Sequence, residues 1–327
     1  MVRTIRLRRL VAAAAAVAAS VLVLAACGEA PASGGARDGG KPLIIMAQGA
    51  GEITFSQTVA DGVVAAAQRA GFDIEMLDNE ADAAKAVENA RTAALKKPDL
   101  FIEYNLNPDS NQRVGQIMAD AGVPVLAIQY GMPGAPLFGL DNRAVGATGG
   151  AGVAEAAVAE WGADAIAKAM VLNFVEGGQV NLDRGAGAEE GIRSVLPDIE
   201  IVQGSSKSDT AVAAQVVNAF LVANPGRKLI LWSHLDQISI AAANAARAAG
   251  RADDLLIAST GGEESIIPEI RRPDGVIAGT TSLFPGSWGE EIIAIAQKMI
   301  NGEAVEPFTQ PSKIVFVTPA NVDEHFE

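Results

Sequence analysis

From Leu43 onward the chain alternates short apolar runs with longer alanine-rich, amphipathic stretches. The runs read LIIMA from Leu43, FDIEML from Phe72, LFIEY from Leu100 and VPVLAI from Val123. Short runs of this kind, bounded by turn formers, predict strands. Residues 57–70, 82–96 and 109–121 carry helical patterning between them, with Asp109 or Ser110 placed to cap the third. Each helical stretch closes on a stop signal: Ala70-Gly71, Lys97-Pro98 and Ala121-Gly122. A second series follows, with MVLNFV from Met170, IEIVQ from Ile199, LILWS from Leu229, LLIAS from Leu255 and VIAGT from Val276. Its helices fall near 187–196, 209–223, 236–249, 263–271 and 287–301, and KIVFVTP from Lys313 adds a last strand.

Strands alternating with helices make parallel βαβ units with both sheet faces covered. The first four strands of the two series are offset by about 130 residues in the same order, a duplication of architecture rather than of sequence. The expected fold is therefore α/β, with two doubly wound parallel-sheet (Rossmann-like) domains. Ligands of such sheets sit beyond the carboxyl ends of the strands. Two such edges facing one another make a cleft, so function belongs to the strand-end loops.

The segment before the domains changes the picture. Arg3, Arg6, Arg8 and Arg9 precede an apolar run from Leu10 to Ala26, which closes as Leu24-Ala25-Ala26-Cys27. A basic start, a short apolar middle and small residues before a cleavage point form an export signal. Cys27 is the only cysteine in the chain. The pattern is that of a bacterial lipoprotein signal: residues 1–26 are removed and Cys27 is lipidated, placing the protein outside the cytoplasm. The alternative is an uncleaved membrane anchor, for which the run is short and weakly apolar. Residues 27–41 read as a flexible, glycine-rich tether.

The net charge is −14, and losing residues 1–26 removes four arginines and no acids, leaving a value near −18. Such a chain does not suit nucleic acid or anionic lipid heads. Contact with the membrane is then through the lipid anchor only. With Cys27 used there, no disulfide is available, and stability rests on the cores. No cofactor is expected. The two histidines, His234 and His325, are far apart and have no metal-ligand spacing around them. Gly49-Ala50-Gly51 opens like a dinucleotide fingerprint, but Thr54 stands at the third glycine position. No G-x-S-x-G nucleophile motif appears, and no enzymatic activity is expected.

At this point the chain resembles the type I periplasmic solute-binding proteins, the ribose- and galactose-binding group of sugar importers. The echoes are Phe55 with Asp61-Gly62, Ala121-Gly122-Val123-Pro124-Val125, Leu140-Asp141-Asn142, Glu190-Gly191-Ile192 and Asn301-Gly302-Glu303, in that order. The resemblance implies two lobes joined by three hinge strands. One lobe would be residues 42–140 plus 284–306, the other 141–283 plus 307–327. It also implies a monomer that traps a small solute by hinge closure and delivers it to the permease subunits of an ABC importer. A carbohydrate or polyol is favoured. A sensor reporting to a receptor or kinase, an extracytoplasmic enzyme, and a binder of a non-sugar molecule such as a nucleoside are the alternatives.

The sugar-gripping positions of the resemblance are largely replaced. Gln129-Tyr130 stands where an Asp-Arg pair is expected, Ala188 where an arginine is, and Gly261 where an acid is. His234-Leu235-Asp236 and Leu283-Phe284 replace other polar positions. By the resemblance, Phe55 would stack on a ring face of the ligand; otherwise it packs the first helix. Tyr104-Asn105 and Gln129-Tyr130 end strands, where amides suit hydroxyls or amides but also cap loops. Asn173 and Arg184 lie at the mouth of the second domain, where a guanidinium offers a rigid fork; a surface salt bridge is the alternative for Arg184. Trp232, His234 and Asp236 cluster at one strand end, with Trp232 also fitting a core and Asp236 a helix cap. Glu263 has the same capping alternative. Of Phe284 and Trp288, one faces the cleft and the other packs inside.

Overall fold

The computed structural model describes residues 40–326. The export signal, Cys27 and all but the end of the tether lie outside the described residues. The first half of the chain runs β1 (Leu43–Gln48), α1 (Thr54–Ala70), β2 (Asp73–Asp78), α2 (Ala83–Lys96), β3 (Leu100–Glu103), α3 (Asn111–Ala121), β4 (Val125–Ile128), β5 (Leu137–Phe138) and α4 (Asn142–Trp161). The second half runs β6 (Ile166–Asn173), α5 (Gln179–Val195), β7 (Ile201–Ser205), α6 (Thr210–Ala223), β8 (Lys228–Ser233), α7 (Asp236–Ala248), β9 (Leu255–Gly261), α8 (Ile267–Ile270) and β10 (Ile277–Ser282). It closes with α9 (Trp288–Ile300), β11 (Phe308–Thr309), β12 (Val315–Val317) and α10 (Val322–His325).

These strands form two six-stranded sheets, ordered β11-β5-β4-β3-β1-β2 and β12-β10-β9-β8-β6-β7. Every pairing is parallel except β10 with β12. Both sheets are covered on both faces, as parallel sheets require. In β1, Ile44 and Met46 pack toward α1 and α9, while Leu43, Ile45 and Ala47 pack toward α2 and α3. In the second sheet, Leu229 and Leu231 pack toward α6 and α7, and Ile230 and Trp232 toward α4 and α5. The two-residue period of a strand produces this division.

The chain passes between sheets three times. After β5 it enters α4, which packs on the second lobe; after β10 it returns through α9; after β11 it leaves for β12. Because β11 pairs with β5, the last passage lies between Thr309 and Val315, beyond the expected boundary at 306/307.

Three elements differ from the sequence expectation. Residues 142–161 form a helix that the pattern did not announce. Gly146, Gly149, Gly150 and Gly152 lie inside it, and each glycine in a helix costs about 1 kcal/mol relative to alanine. Their use is close approach. A Cβ at Gly146 or Gly150 would collide with the Arg184 or Ala188 carbonyl of α5, and one at Gly187 or Gly191 with the Arg143 or Ala147 carbonyl of α4. Helix α5 starts at Gln179, about two turns before the expected 187, which puts Arg184 on a helix rather than in a loop. The stretch expected as a helix at 263–271 is helical only over Ile267–Ile270.

Gly187→Ala should lower stability by about 1–3 kcal/mol, because neither backbone can yield without separating the helices. Gly40→Ala, in open space, should change nothing. Urea denaturation followed by circular dichroism measures both.

Candidate functional site

The carboxyl ends of both sheets open onto one cavity of about 340 Å³. The first lobe contributes Phe55, Tyr104, Leu106, Gln129 and Tyr130; the second contributes Phe174, Val180, Arg184, His234 and Thr260. Leu283, at the second passage between sheets, also lines it. The wall is mainly apolar, with a few convergent polar groups, as small-molecule sites usually are.

Each polar group is set by the backbone beneath it. Phe55 enters on the first turn of α1 and meets Trp288 edge-on, with ring centroids 5.3 Å apart at 79°. Trp288 is fully buried, meets Phe138 edge-on at 5.5 Å and donates its indole N–H to the Leu283 carbonyl at 2.7 Å. It therefore backs Phe55 rather than facing the cavity. Gln129 follows β4 with φ +64°, a conformation that L side chains rarely adopt, and its N–H bonds the Phe138 carbonyl at 2.8 Å. Asn105 lies behind the wall. Its amide donates to Ser110 Oγ at 2.7 Å and Asn111 Oδ1 at 2.8 Å, and its oxygen accepts the Asn107 N–H at 2.9 Å. Asn111 then reaches the Gly131 carbonyl at 3.1 Å, joining the loops that carry Leu106 and Tyr130. This is the loop-capping role.

In the second lobe, Asn173 is buried and donates to the Asn181 carbonyl at 2.7 Å, holding the first turn of α5. It does not line the cavity. Arg184, one helical turn before Ala188, does. It is 7% exposed, so a surface salt bridge is not its role. Its Nε and Nη2 donate to Asn142 Oδ1 at 3.1 and 2.6 Å. Asn142 is the first residue of α4, whose preceding residue, Asp141, caps the helix by accepting the Ala144 N–H at 3.0 Å.

His234 is buried, with Nδ1 3.4 Å from the Leu172 carbonyl and Nε2 unpartnered. Burial and the nearby Arg184 cation hold its pKa down at about 4, so the ring is neutral and Nε2 is available as an acceptor. Burial raises the phenols of Tyr104 and Tyr130, while Arg184 opposes the rise in both. Both therefore keep their protons at neutral pH. Trp232 is fully buried in the second lobe against Gly149 and is a core residue.

The acids sit elsewhere. Asp236 is buried behind the cavity, accepting from Ser259 Oγ at 2.5 Å, Thr280 Oγ1 at 2.9 Å and the Glu263 N–H at 2.8 Å. It knits β9, β10 and the following loop. It is the first residue of α7 rather than its cap, which is Leu235. Glu263 and Phe284 line a second, more open cavity with Asp61, Gln237 and Glu264. Burial and then the Asp236 carboxylate raise Glu263 to about 7, and Gln237 donates to it at 2.6 Å. Phe284 has φ +47° and stacks on Phe326 at 5.5 Å.

The apolar half of the wall, Leu106, Phe174 and Val180, was not anticipated. Only position after a strand end could have marked these residues. Glu103 was also missed. It is buried at the end of β3, accepts from Asn79 at 3.1 Å, and is pushed up to about 8 by desolvation. Among the described residues, no cluster of His, Cys, Asp or Glu could hold a metal ion.

Two α/β lobes, three passages between them and a ligand-sized cavity at facing strand ends define a type I periplasmic binding fold. Residues 44–304 match the family described as periplasmic binding protein domain. The chain belongs to that family, in the ribose/galactose type, whose members bind solutes rather than transform them. It is 22% identical over 261 residues to the ribose import binding protein RbsB of Salmonella typhimurium, covering 77% of this chain and 82% of the relative. The Haemophilus influenzae ribose import binding protein RbsB is 24% identical over 258 residues, covering 77% and 83%. Among solved structures, an ABC transporter periplasmic solute binding protein from Actinobacillus succinogenes with bound D-allose has TM-score 0.77 at 20% identity, covering 87% of this chain and 100% of that one. A solute binding protein from Mycobacterium smegmatis with bound glycerol has TM-score 0.76 at 22% identity, covering 87% and 96%. These structures share the fold.

Glu103 links stability to pH. Its folded pKa near 8 lies above the ordinary 4.5. Its favourable contribution is complete below about pH 4.5 and falls away as pH rises toward 8, because only the unfolded chain ionises readily there. Glu103→Gln should remove that slope, gaining on the wild type steadily from pH 5 to pH 8 in urea titrations.

Proposed function

We propose that the protein is an extracytoplasmic solute-binding lipoprotein of an ABC importer, which captures a small carbohydrate-like solute between its lobes. One observation carries the reading: polar side chains from both lobes, Tyr104, Gln129 and Tyr130 on one side and Arg184 and His234 on the other, converge on a single cavity. A solute contacting both sets favours the arrangement in which the lobes are together, because those contacts exist only there. The relatives that import ribose, and fold neighbours holding allose, glycerol or myo-inositol, support the carbohydrate or polyol class. Permease subunits are the partner that would receive the solute. Cys27 supplies the membrane tether in this reading.

The test is a thermal-shift and calorimetric screen of the full chain, purified in detergent, against sugars, sugar acids, polyols, nucleosides and amino acids. A rise of several degrees with a carbohydrate-class solute supports the reading; a response confined to nucleosides or amino acids overturns its solute class. With the responding solute, Tyr130→Phe should weaken binding about fivefold, the effect of one neutral hydrogen bond of about 1 kcal/mol, without altering the ligand-free melting temperature. Cys27→Ala should move the protein from the membrane to the soluble extracytoplasmic fraction, read by fractionation and immunoblotting.

A further inference from the structure

The cavity wall carries one cation and no carboxylate. Among the described residues, Arg184 has no acidic group within salt-bridge distance, and the groups that act on its charge are the phenols of Tyr130 and Tyr104. Among the described residues its one hydrogen-bond acceptor is Asn142 Oδ1, which takes Nε and Nη2 and leaves Nη1 without a bond. A guanidinium cannot shed its proton to escape burial. A buried charge lacking a counter-charge is costly, and this one stands at the wall of the cleft. The acids of the cleft, Asp61, Glu263 and Glu264, lie in the other cavity, while Asp236 is held behind the wall by Ser259, Thr280 and the Glu263 N–H. The local positive charge is set within a chain of net charge −14, whose distant surface carboxylates are screened beyond about 10 Å at 0.1 M salt.

Resting on the solute-binding reading above, we propose that the solute is a hydroxylated carboxylate, a sugar acid rather than a neutral sugar or polyol, with its carboxylate on the Nη1/Nη2 edge of Arg184. A planar carboxylate matches that fork. A lone cation on the wall suits a monoanion better than a doubly charged phosphate ester. The neutral acceptor His234 Nε2, unpartnered and buried, and the Gln129 amide suit hydroxyl groups on the remainder of the molecule. Phe55 and Phe174 cover its carbon faces.

The experiment uses the full chain in detergent and matched pairs: D-gluconate with D-glucose, D-galactonate with D-galactose, and D-glucuronate and D-galacturonate with the same two sugars. Calorimetry and thermal shift should show at least one acid binding about 30-fold or more tightly than its neutral partner, the scale for losing one member of a desolvated charge pair. Arg184→Met should erase that preference while its ligand-free melting temperature, measured in parallel, reports on folding; Arg184→Lys should restore part of it. Mass spectrometry of small molecules released by denaturing the purified protein gives an independent readout, and a retained carboxylate is expected. A neutral sugar that binds while its acid does not, or an acid whose affinity ignores Arg184→Met in a folded variant, overturns the proposal and leaves the solute-binding reading standing. No binding by any member of the pairs, with no carboxylate retained, counts against both.

Discussion

The contact of α4 with α5 governs the second lobe. Four glycines open the line where the two backbones meet, so that each helix rests on the other's carbonyl groups. Arg184 lies on that line. Its own carbonyl faces Gly146, and its side chain turns to Asn142 at the opening of α4. The guanidinium is thus held from two directions by one helix pair. Its position depends less on its rotamer than on how closely two backbones can approach.

Around that anchor the polar groups are divided by task. Amides and carboxylates that make several hydrogen bonds build loops: Asn105 and Asn111 join the β3 and β4 loops, and Asp236 gathers Ser259, Thr280 and the Glu263 N–H. Groups with capacity to spare, such as the phenols, His234 Nε2 and Arg184 Nη1, are left for the cavity. Burial reinforces the division by keeping the imidazole neutral and both tyrosines protonated at ordinary pH. The wall therefore changes little in charge across the range where most proteins are handled.

The fold was largely legible because strands of a covered parallel sheet are written as dense apolar runs, and the first three helical stretches between them close on Gly or Pro. Helix α4 was not legible. Its glycines read as breakers unless the partner helix that uses them is known, and nothing local announces a partner some forty residues away. That omission shifted the start of α5 and left Arg184 in a loop. Of the residues singled out near strand ends, Phe55, Tyr104, Gln129, Tyr130, Arg184 and His234 line the cavity. Asn105, Asn173, Trp232, Asp236 and Trp288 stand one layer behind it. Sequence alone does not separate the two layers, because a residue that shapes a loop and one that faces the space inside can share the same strand end.

Phe284 sits at the second passage between sheets in a left-handed turn. Its ring is stacked on Phe326, edge-on to His325 and capped by the Lys313 ammonium 3.8 Å from its centre. The final residues of the described chain thereby act as a clasp on a connecting segment far from them in sequence. An affinity handle or fluorophore fused after Phe326 would pull on that clasp and bias whatever rotation the segment allows. Labels meant to leave that clasp undisturbed belong on the exposed side of a helix such as α2 or α6.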